Sequence, residues 1–206
     1  EVEQGSPEWF QIRAGLPTAS EFDKIITTKG EPSKQARKYA YALVAERISD
    51  RPVNDYSNAY MAWGKQMEAE ARDMYRFMSD NEVDEVGFVT DDFQLYGCSP
   101  DGLILGPDGD YVGGLEIKSP AKAEIHVEYL VGNKLPTTYY QQVHGSLFVT
   151  GLEWWDFVSY YPGLPILIVR VTSDKKFIPA LGGAMNTFLE LVQQIEGEIR
   201  EQFSIA

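Results

Sequence analysis

Two short segments of the chain combine residue types that could carry out hydrolysis. Asp101 lies in a Ser-Pro-Asp-Gly turn sequence, and Glu116 opens a Glu-x-Lys pair inside the apolar run Leu-Glu-Ile-Lys. Side chains two positions apart in a β-strand project from one face, roughly 7 Å apart. Glu116 and Lys118 would therefore share one face while Ile117 enters the core. On a helix the same pair would diverge by about 200°, so the spacing predicts a strand.

An aspartate at a turn followed by Glu-x-Lys is a pattern typical of metal-dependent nucleases. Asp101 and Glu116 carry the hard oxygen ligands that Mg²⁺ prefers. Lys118 could orient or deprotonate the attacking water, or stabilise the charge that develops on the phosphate. A surface hairpin with an ordinary Glu–Lys pair is the alternative interpretation of the same residues.

The periodicity of apolar residues predicts helices in the first part of the chain and strands later. Helices are predicted over residues 7–14, from Thr18 to just before Gly30, and over 34–49, 58–79, 121–131, 136–149 and 177–203. Strands are predicted over residues 83–90, 96–99, 103–105, 113–119, 156–161 and 166–172.

The segment 106–110, Gly-Pro-Asp-Gly-Asp, predicts a hairpin turn. This turn would place Asp101 and Glu116 on neighbouring strands. Helices, a strand meander, a helical crossover and further strands together predict an α/β or α+β fold with one central sheet flanked by helices. A length of 206 residues fits a single domain over residues 1–206.

The charge balance opposes nucleic-acid binding. The chain has 18 Lys and Arg against 31 Asp and Glu, a formal net charge of −13, whereas nucleic-acid binders are usually basic. Focusing of basic residues on one face would soften this conflict, because contacts depend on local potential. The candidates are Arg13, Lys24, Lys29, Lys34, Arg37, Lys38 and Lys65. We expect weak binding to DNA that lacks the right end.

The single cysteine, Cys98, excludes disulfides within the chain and iron–sulfur or zinc sites held by several cysteines. We expect it to be a buried structural thiol. No apolar stretch approaches the ~20 residues of a membrane helix, and the first residues do not resemble a signal peptide. A cytoplasmic location is therefore expected.

Five sequence blocks, in order, resemble the phage lambda exonuclease type of viral recombination nuclease, the YqaJ-like group of the PD-(D/E)XK superfamily. They are residues 9–15 with Thr18-Ala19-Ser20, residues 62–68, residues 98–103, the Leu-Glu-Ile-Lys run and residues 139–143. The resemblance implies a restriction-endonuclease-like fold with a mixed central sheet. It also implies a phage or prophage origin and action in the cytoplasm of a bacterial host.

The resemblance assigns roles to eleven residues. It implies metal ligation by Asp101, Glu116, the Ile117 backbone carbonyl and Glu68, with Lys118 as the catalytic lysine. Gln142 matches an active-site glutamine, and Tyr139 lies on the same helix face. The residues that match the family's contacts to a terminal 5′-phosphate or to the duplex end are Arg13, Ser20, Ser99 and Met61.

Ordinary structural roles are the alternatives for several of these residues. Glu68 could form an exposed i,i+4 ion pair with Arg72, Ser20 could be a plain N-cap, and Met61 could pack in the core. Trp154 and Trp155 are expected to be a buried aromatic pair rather than a platform for base stacking. Turn aspartates that could bind cations are instead expected to cap backbone N–H groups: Asp91, Asp92, Asp108 and Asp110.

By resemblance, the protein is expected to be a Mg²⁺-dependent exonuclease, with Mn²⁺ able to substitute. It would degrade one strand of duplex DNA from a phosphorylated 5′ end, release 5′-mononucleotides and leave a 3′ overhang. A homotrimeric ring and a single-strand annealing protein are the implied partners. The alternatives are another nuclease on the same scaffold, such as an endonuclease or junction resolvase, and a catalytically inactive module that binds DNA ends.

Overall fold

The computed structural model describes residues 2–52 and 59–205, and for residues 59–62 and 65 the backbone alone. The helices within these ranges are α1 (Pro7–Arg13), α2 (Ala36–Ser49), α3 (Ala59–Ser79), α4 (Ala123–Gly132), α5 (Tyr140–Thr150) and α6 (Phe177–Phe203). Two short 3₁₀ helices span Ala19–Lys24 and Thr137–Tyr139.

The strands form one mixed sheet and one small antiparallel pair. They are β1 (Val83–Asp84), β2 (Val89–Thr90), β3 (Gly97–Cys98), β4 (Gly102–Leu105), β5 (Tyr111–Lys118), β6 (Trp154–Ser159) and β7 (Leu167–Thr172). The larger sheet has the order β1-β4-β5-β6-β7, and β2 pairs with β3. Strands β5 and β6 are parallel, whereas the other pairs are antiparallel. The predicted fold with a central mixed sheet is confirmed.

Two predicted elements differ from the structure. The expected strand over residues 83–90 is two strands, because Val83 pairs with Ile104 whereas Val89 pairs with Cys98 in the other sheet. The predicted helix after Thr18 is only the 3₁₀ helix Ala19–Lys24. The remaining predicted helices and strands are present, with bounds shifted by a few residues at most.

The sheet lies between two helices, each with its own apolar cluster. Helix α3 packs Met67, Ala71 and Tyr75 against one face, which includes Leu115 and Ile117. Helix α5 packs against the other face in a second cluster of buried residues: Leu103, Val143, Leu147, Trp155 and Phe157. A third cluster joins α2 and α6 to the 3₁₀ helix that begins at Ala19. Because Leu115 and Ile117 of β5 face α3 and side chains alternate along a strand, Glu116 faces the other side of the sheet.

A buried polar network fixes α3 on the sheet. The Tyr75 hydroxyl donates to Asp156 Oδ2 at 2.7 Å, and Arg170 donates to both oxygens of the same carboxylate at 2.9 and 2.8 Å. Asp156 is 2% exposed, so its charge depends on these partners. Tyr75 lies two helical turns after Glu68 and faces the same side of α3. The network therefore holds in place the helix that carries Glu68.

The two glycines of β5 make room for the adjacent tryptophans of β6. A Cβ at Gly113 would lie 2.4 Å from the Trp154 ring, and one at Gly114 would lie 2.2 Å from the Trp155 ring. Trp155 is fully buried, while Trp154 is half-buried and stacks on the Arg170 guanidinium at 3.6 Å. The pair packs in the structure as expected, with Trp155 in the core.

The described residues include no helix with the length and apolar character needed to span a membrane.

Candidate active site

Asp101 and Glu116 meet where β4 and β5 begin to pair. The backbone N–H of Asp101 donates to the Leu115 carbonyl at 3.0 Å. The N–H of Ile117 donates to Asp101 Oδ2 at 2.5 Å. Asp101 therefore stands opposite Glu116 on the neighbouring strand, as the predicted hairpin requires. The same contact brings the Ile117 backbone beside Asp101, while metal ligation by its carbonyl stays a prediction.

Glu116 is a buried carboxylate with two side-chain donors. It is 2% exposed, and its Oε1 atom lies 2.6 Å from Lys118 Nζ. The Gln142 side-chain amide, from α5, donates to the same oxygen at 2.6 Å. Lys118 Nζ also lies 5.2 Å from the centre of the Tyr139 ring. The structure thus brings Glu116, Lys118, Gln142 and Tyr139 together, while the roles that the resemblance assigns to them stay predictions.

Glu68 approaches from the opposite side, on α3. Its carboxylate pairs with Arg72, and the Arg72 Nε atom donates to the Asp101 carbonyl oxygen at 2.9 Å. The structural interpretation of Glu68 was an exposed ion pair with Arg72, but the Arg72 side chain is buried, with only 6% exposure. The i,i+4 spacing identified the pair, whereas its burial and its bond to Asp101 could not be inferred from spacing.

The three carboxylates disfavour one another's charge. Burial and the Glu116 charge raise the pKa of Asp101 to about 7, against the opposing effect of Lys118. Burial also raises the pKa of Glu116, partly offset by Lys118. At Glu68, burial and then the Asp101 charge raise the pKa, and Arg72 opposes them. The carboxylates raise the pKa of Lys118 despite its burial, so it is protonated at neutral pH.

These residues fit a hard divalent cation. Carboxylate oxygens are the ligands that Mg²⁺ prefers, and one or two suffice because Mg²⁺ keeps several waters. Burial is the main cause of the three raised pKa values and mutual repulsion adds to it; a cation would favour the charged carboxylates against both effects. Within the described ranges, no three His, Cys, Asp or Glu side chains form a ready-made metal cage. Lys118 and Gln142 hold the Glu116 carboxylate, and Arg72 holds that of Glu68. Metal binding would redistribute those contacts.

Arg13 is linked to Ser99 through Trp9, and Ser20 lies on the 3₁₀ helix that follows Thr18. The Arg13 guanidinium stacks on Trp9, 3.7 Å from the ring centre. The Trp9 indole N–H is shared between the Gly87 carbonyl oxygen at 2.9 Å and the Ser99 hydroxyl oxygen at 3.2 Å. The Ser20 hydroxyl lies 3.3 Å from that of Thr18. Thr18, not Ser20, is the N-cap of the 3₁₀ helix, so the plain N-cap interpretation of Ser20 is wrong.

A cavity of 1230 Å³ connects the two groups. Its walls include Arg13, Ser20, Glu68, Arg72 and Asp101. Two of the phosphate-binding candidates, Arg13 and Ser20, and two of the predicted metal ligands therefore border one continuous space. The sequence analysis missed Trp9, although its i,i+4 spacing to Arg13 is the signal that could have identified it.

Met61 lies on α3, and its side chain is outside the described part of the structure. Cys98 is buried, as expected. Its burial raises the pKa to about 12, so it is not a nucleophile at neutral pH. His126 is also buried, and its Nε2 atom faces the Pro165 carbonyl at 2.9 Å while Nδ1 faces the Ser159 hydroxyl at 2.7 Å. These two side chains have structural roles.

Comparisons with known proteins show similarity to exonucleases. The chain is similar to LHK-Exo, an alkaline exonuclease from Laribacter hongkongensis, at 27% identity over 97% of this chain and 98% of that one, with a TM-score of 0.84. LHK-Exo in complex with dAMP matches with 28% identity, the same coverage and the same TM-score. A phage-related exonuclease from Haemophilus somnus 129PT shares the fold at 13% identity, covering 89% and 96% of the two chains, with a TM-score of 0.67.

No match is found among curated proteins. The family model of the YqaJ-like viral recombinase domain matches residues 8–153. That range includes all of the predicted site residues. The chain belongs to the YqaJ-like viral recombinase family, and this membership supports a nuclease role.

Proposed function

We propose that the protein is a Mg²⁺-dependent exonuclease that degrades one strand of linear duplex DNA from a phosphorylated 5′ end. It releases 5′-mononucleotides and leaves a 3′ single-stranded overhang. The observation that carries the proposal is that Glu116 pairs with Lys118 on the strand beside Asp101, while Arg72 joins Glu68 to the Asp101 turn. Glu68 and Asp101 also border the cavity. Mn²⁺ is expected to substitute for Mg²⁺.

Asp101, Glu116 and Glu68 would hold the cation, with the Ile117 carbonyl as a further oxygen ligand. The ion, when bound, would lower the pKa of a bound water and neutralise charge on the scissile phosphate. Lys118 is protonated in the present arrangement, which suits it to stabilise the charge that develops on the phosphate. Gln142 donates to Glu116 and so fixes the orientation of that carboxylate.

The 5′-phosphate would bind beside Arg13. An arginine presents its donors in one plane and is suited to phosphate oxygens, and the ring of Trp9 occupies a face of the guanidinium rather than its edge. Because the Ser99 oxygen accepts from Trp9, its own O–H is available to donate to a ligand. Ser20 would add a second hydroxyl. LHK-Exo has been solved with dAMP, a deoxynucleotide that carries such a phosphate.

The decisive experiment compares three duplexes, each with and without a chelator. They are a linear duplex with 5′-phosphates, the same duplex with 5′-hydroxyls, and a closed circle. We expect the 5′-phosphorylated duplex to be degraded rapidly, the 5′-hydroxyl duplex more slowly, and the closed circle not at all. No duplex should be cleaved in the presence of the chelator. Cleavage of the circle would favour an endonuclease or junction resolvase. Binding of ends without cleavage in Mg²⁺ or Mn²⁺ would favour an inactive end-binding module.

We further propose that the chain is a single nuclease domain over residues 1–206 that works as a homotrimeric ring. A chain of net charge −13 attracts DNA poorly at long range. Enclosure of the duplex would prevent dissociation between steps without strong phosphate contacts. A head-to-tail interface that closes on itself gives such a ring. A single-strand annealing protein would take over the exposed 3′ strand.

A further inference from the structure

Arg72 is a buried cation whose guanidinium joins three separate segments of the chain. Nε donates to the Asp101 carbonyl oxygen at 2.9 Å, Nη2 pairs with Glu68, and Nη1 lies 2.9 Å from Glu85 Oε2. With 6% exposure, the charge is stabilised by these oxygens rather than by water.

The arrangement connects the two sides of the candidate metal site. Glu68 belongs to α3, whereas Asp101 belongs to the turn before β4. The Asp101 backbone is fixed from the sheet side by the Leu115 carbonyl, and Arg72 is bonded to it from the helix side. The planar guanidinium of Arg72 therefore sets the position of the Glu68 carboxylate relative to the Asp101 turn.

We propose that Arg72 is a positioning residue that orients Glu68 towards the cation held by Asp101 and Glu116, an inference that rests on the proposed nuclease function. The guanidinium engages Oε1 of Glu68, and this fixes the direction of the second carboxylate oxygen. Side chains that hold metal ligands in this way usually affect metal affinity or activity by about 10- to 100-fold.

A lysine at this position tests the geometry and keeps the charge. It would supply one point of positive charge but could not bond to Glu68, the Asp101 carbonyl and Glu85 together. Charge effects on cation affinity therefore stay nearly constant in Arg72→Lys. Arg76→Lys is the matched control, because it makes the same exchange one turn later. Arg76 bonds to the Val83 carbonyl at 2.7 Å and pairs with Asp73 and Glu85, but contacts neither Glu68 nor Asp101.

The experiment measures Mn²⁺ affinity by calorimetry without DNA, and then the Mg²⁺ dependence of cleavage. We expect R72K to bind Mn²⁺ about 10-fold or more weakly than wild type and to need more Mg²⁺ for half-maximal cleavage. Its KM for DNA ends at saturating Mg²⁺ should be unchanged. R76K should bind Mn²⁺ within about twofold of wild type. Circular dichroism identifies a temperature at which all variants keep native helix content.

A double-mutant cycle with Glu68→Gln separates positioning from a general loss of stability. If Arg72 acts through Glu68, R72K should weaken Mn²⁺ binding little further in the E68Q background. Additive losses, or unchanged Mn²⁺ binding by R72K, would overturn the inference while leaving the nuclease function in place. A wild-type protein that binds no Mn²⁺ would overturn both.

Discussion

The guanidinium of Arg13 lies on the indole ring of Trp9, with 3.7 Å between the guanidinium carbon and the ring centre. Trp9 in turn bonds through its N–H to Ser99, 90 residues away in sequence. One aromatic ring therefore sets the relative positions of two candidate phosphate contacts. Burial lowers the pKa of Arg13 to about 10, which leaves it charged at neutral pH.

Arg13→Ala should remove most of the preference for a 5′-phosphorylated end. A charge-assisted contact to phosphate is worth about 1.5–3 kcal/mol, a ten- to hundredfold effect on rate. The measurement is the ratio of initial rates on 5′-phosphate and 5′-hydroxyl duplexes. Arg200→Ala is the control, since the Arg200 side chain bonds to Glu196 on α6. Equal wild-type rates on the two ends would show that Arg13 is a structural residue.

Lys118→Ala should abolish cleavage while leaving affinity for DNA ends largely intact, because the lysine acts mainly on the transition state. Asp101→Ala should remove both activity and tight Mg²⁺ binding, since no equivalent oxygen replaces the lost ligand. Single-turnover cleavage and end binding in Ca²⁺ separate the two effects. Lys134→Ala, an exposed lysine, is the control. Wild-type turnover in either site variant would contradict the assignment.

The protein in solution should have a mass of ~70 kDa, three chains of 23.2 kDa in a closed ring. Light scattering at low micromolar concentration measures this mass. Excess unlabelled duplex added after digestion begins should leave ongoing digestion unaffected if the ring encloses DNA. A monomeric mass combined with immediate loss of activity to the competitor would exclude the ring.

Asp174 should contribute stability that is lost in acid. Its Oδ1 atom accepts the N–H groups of Lys176 and Phe177 at 2.7 and 2.9 Å, and these bonds lower its pKa from 3.8 to about 2. A lowered pKa means that the contribution is fully present above about pH 4 and disappears as the pH falls through 2. Urea unfolding should show that Asp174→Ala costs ~1 kcal/mol at pH 7.

The same deficit in Asp174→Ala should shrink as the pH falls from about 4 to 2. Asp92→Asn is the control, because Asp92 is an exposed turn residue whose substitution should shift the free energy of unfolding by less than ~0.5 kcal/mol. A deficit in Asp174→Ala that is independent of pH would show that the charge of the carboxylate does not matter.

Two glycine-to-alanine substitutions should act in opposite directions. Gly114→Ala should destabilise the protein by ~1–3 kcal/mol or more, because the new Cβ would lie 2.2 Å from the buried Trp155 ring. Gly197→Ala should stabilise it by up to ~1 kcal/mol, since Gly197 lies within α6 with no atom in the way. Thermal unfolding of both variants measures the difference. Unchanged thermal stability of Gly114→Ala would mean that the Trp155 ring can move aside to make room for the new Cβ.

The pattern of residues along the sequence was sufficient to predict features that lie within a single strand or hairpin. The period of two in β5 predicted that Glu116 and Lys118 would share a face, and Leu115 and Ile117 are indeed in the core on the other. The turn at 106–110 predicted the β4–β5 hairpin, and the Gly106 N–H does donate to the Asp110 carbonyl at 2.8 Å.

Contacts between distant segments could not be inferred in the same way. The break between Val83 and Val89 depends on two different partner strands, and nothing within residues 83–90 specifies them. The burial of Arg72 likewise depends on Asp101 and Glu85. The bond from Trp9 to Ser99 is a third case, since periodicity describes only neighbours along the chain.

The stacking of Phe188 on Tyr39, at 5.4 Å between ring centres, has a consequence for synthesis of the chain. Tyr39 accepts the Thr18 N–H through its hydroxyl, so the segment that carries Ser20 is supported from behind by α6. When synthesis has reached residue 153, every predicted catalytic residue has been added to the chain, but α6 has not yet been made. The wall of the cavity beside Arg13 and Ser20 is therefore completed last, once the C-terminal helix has docked.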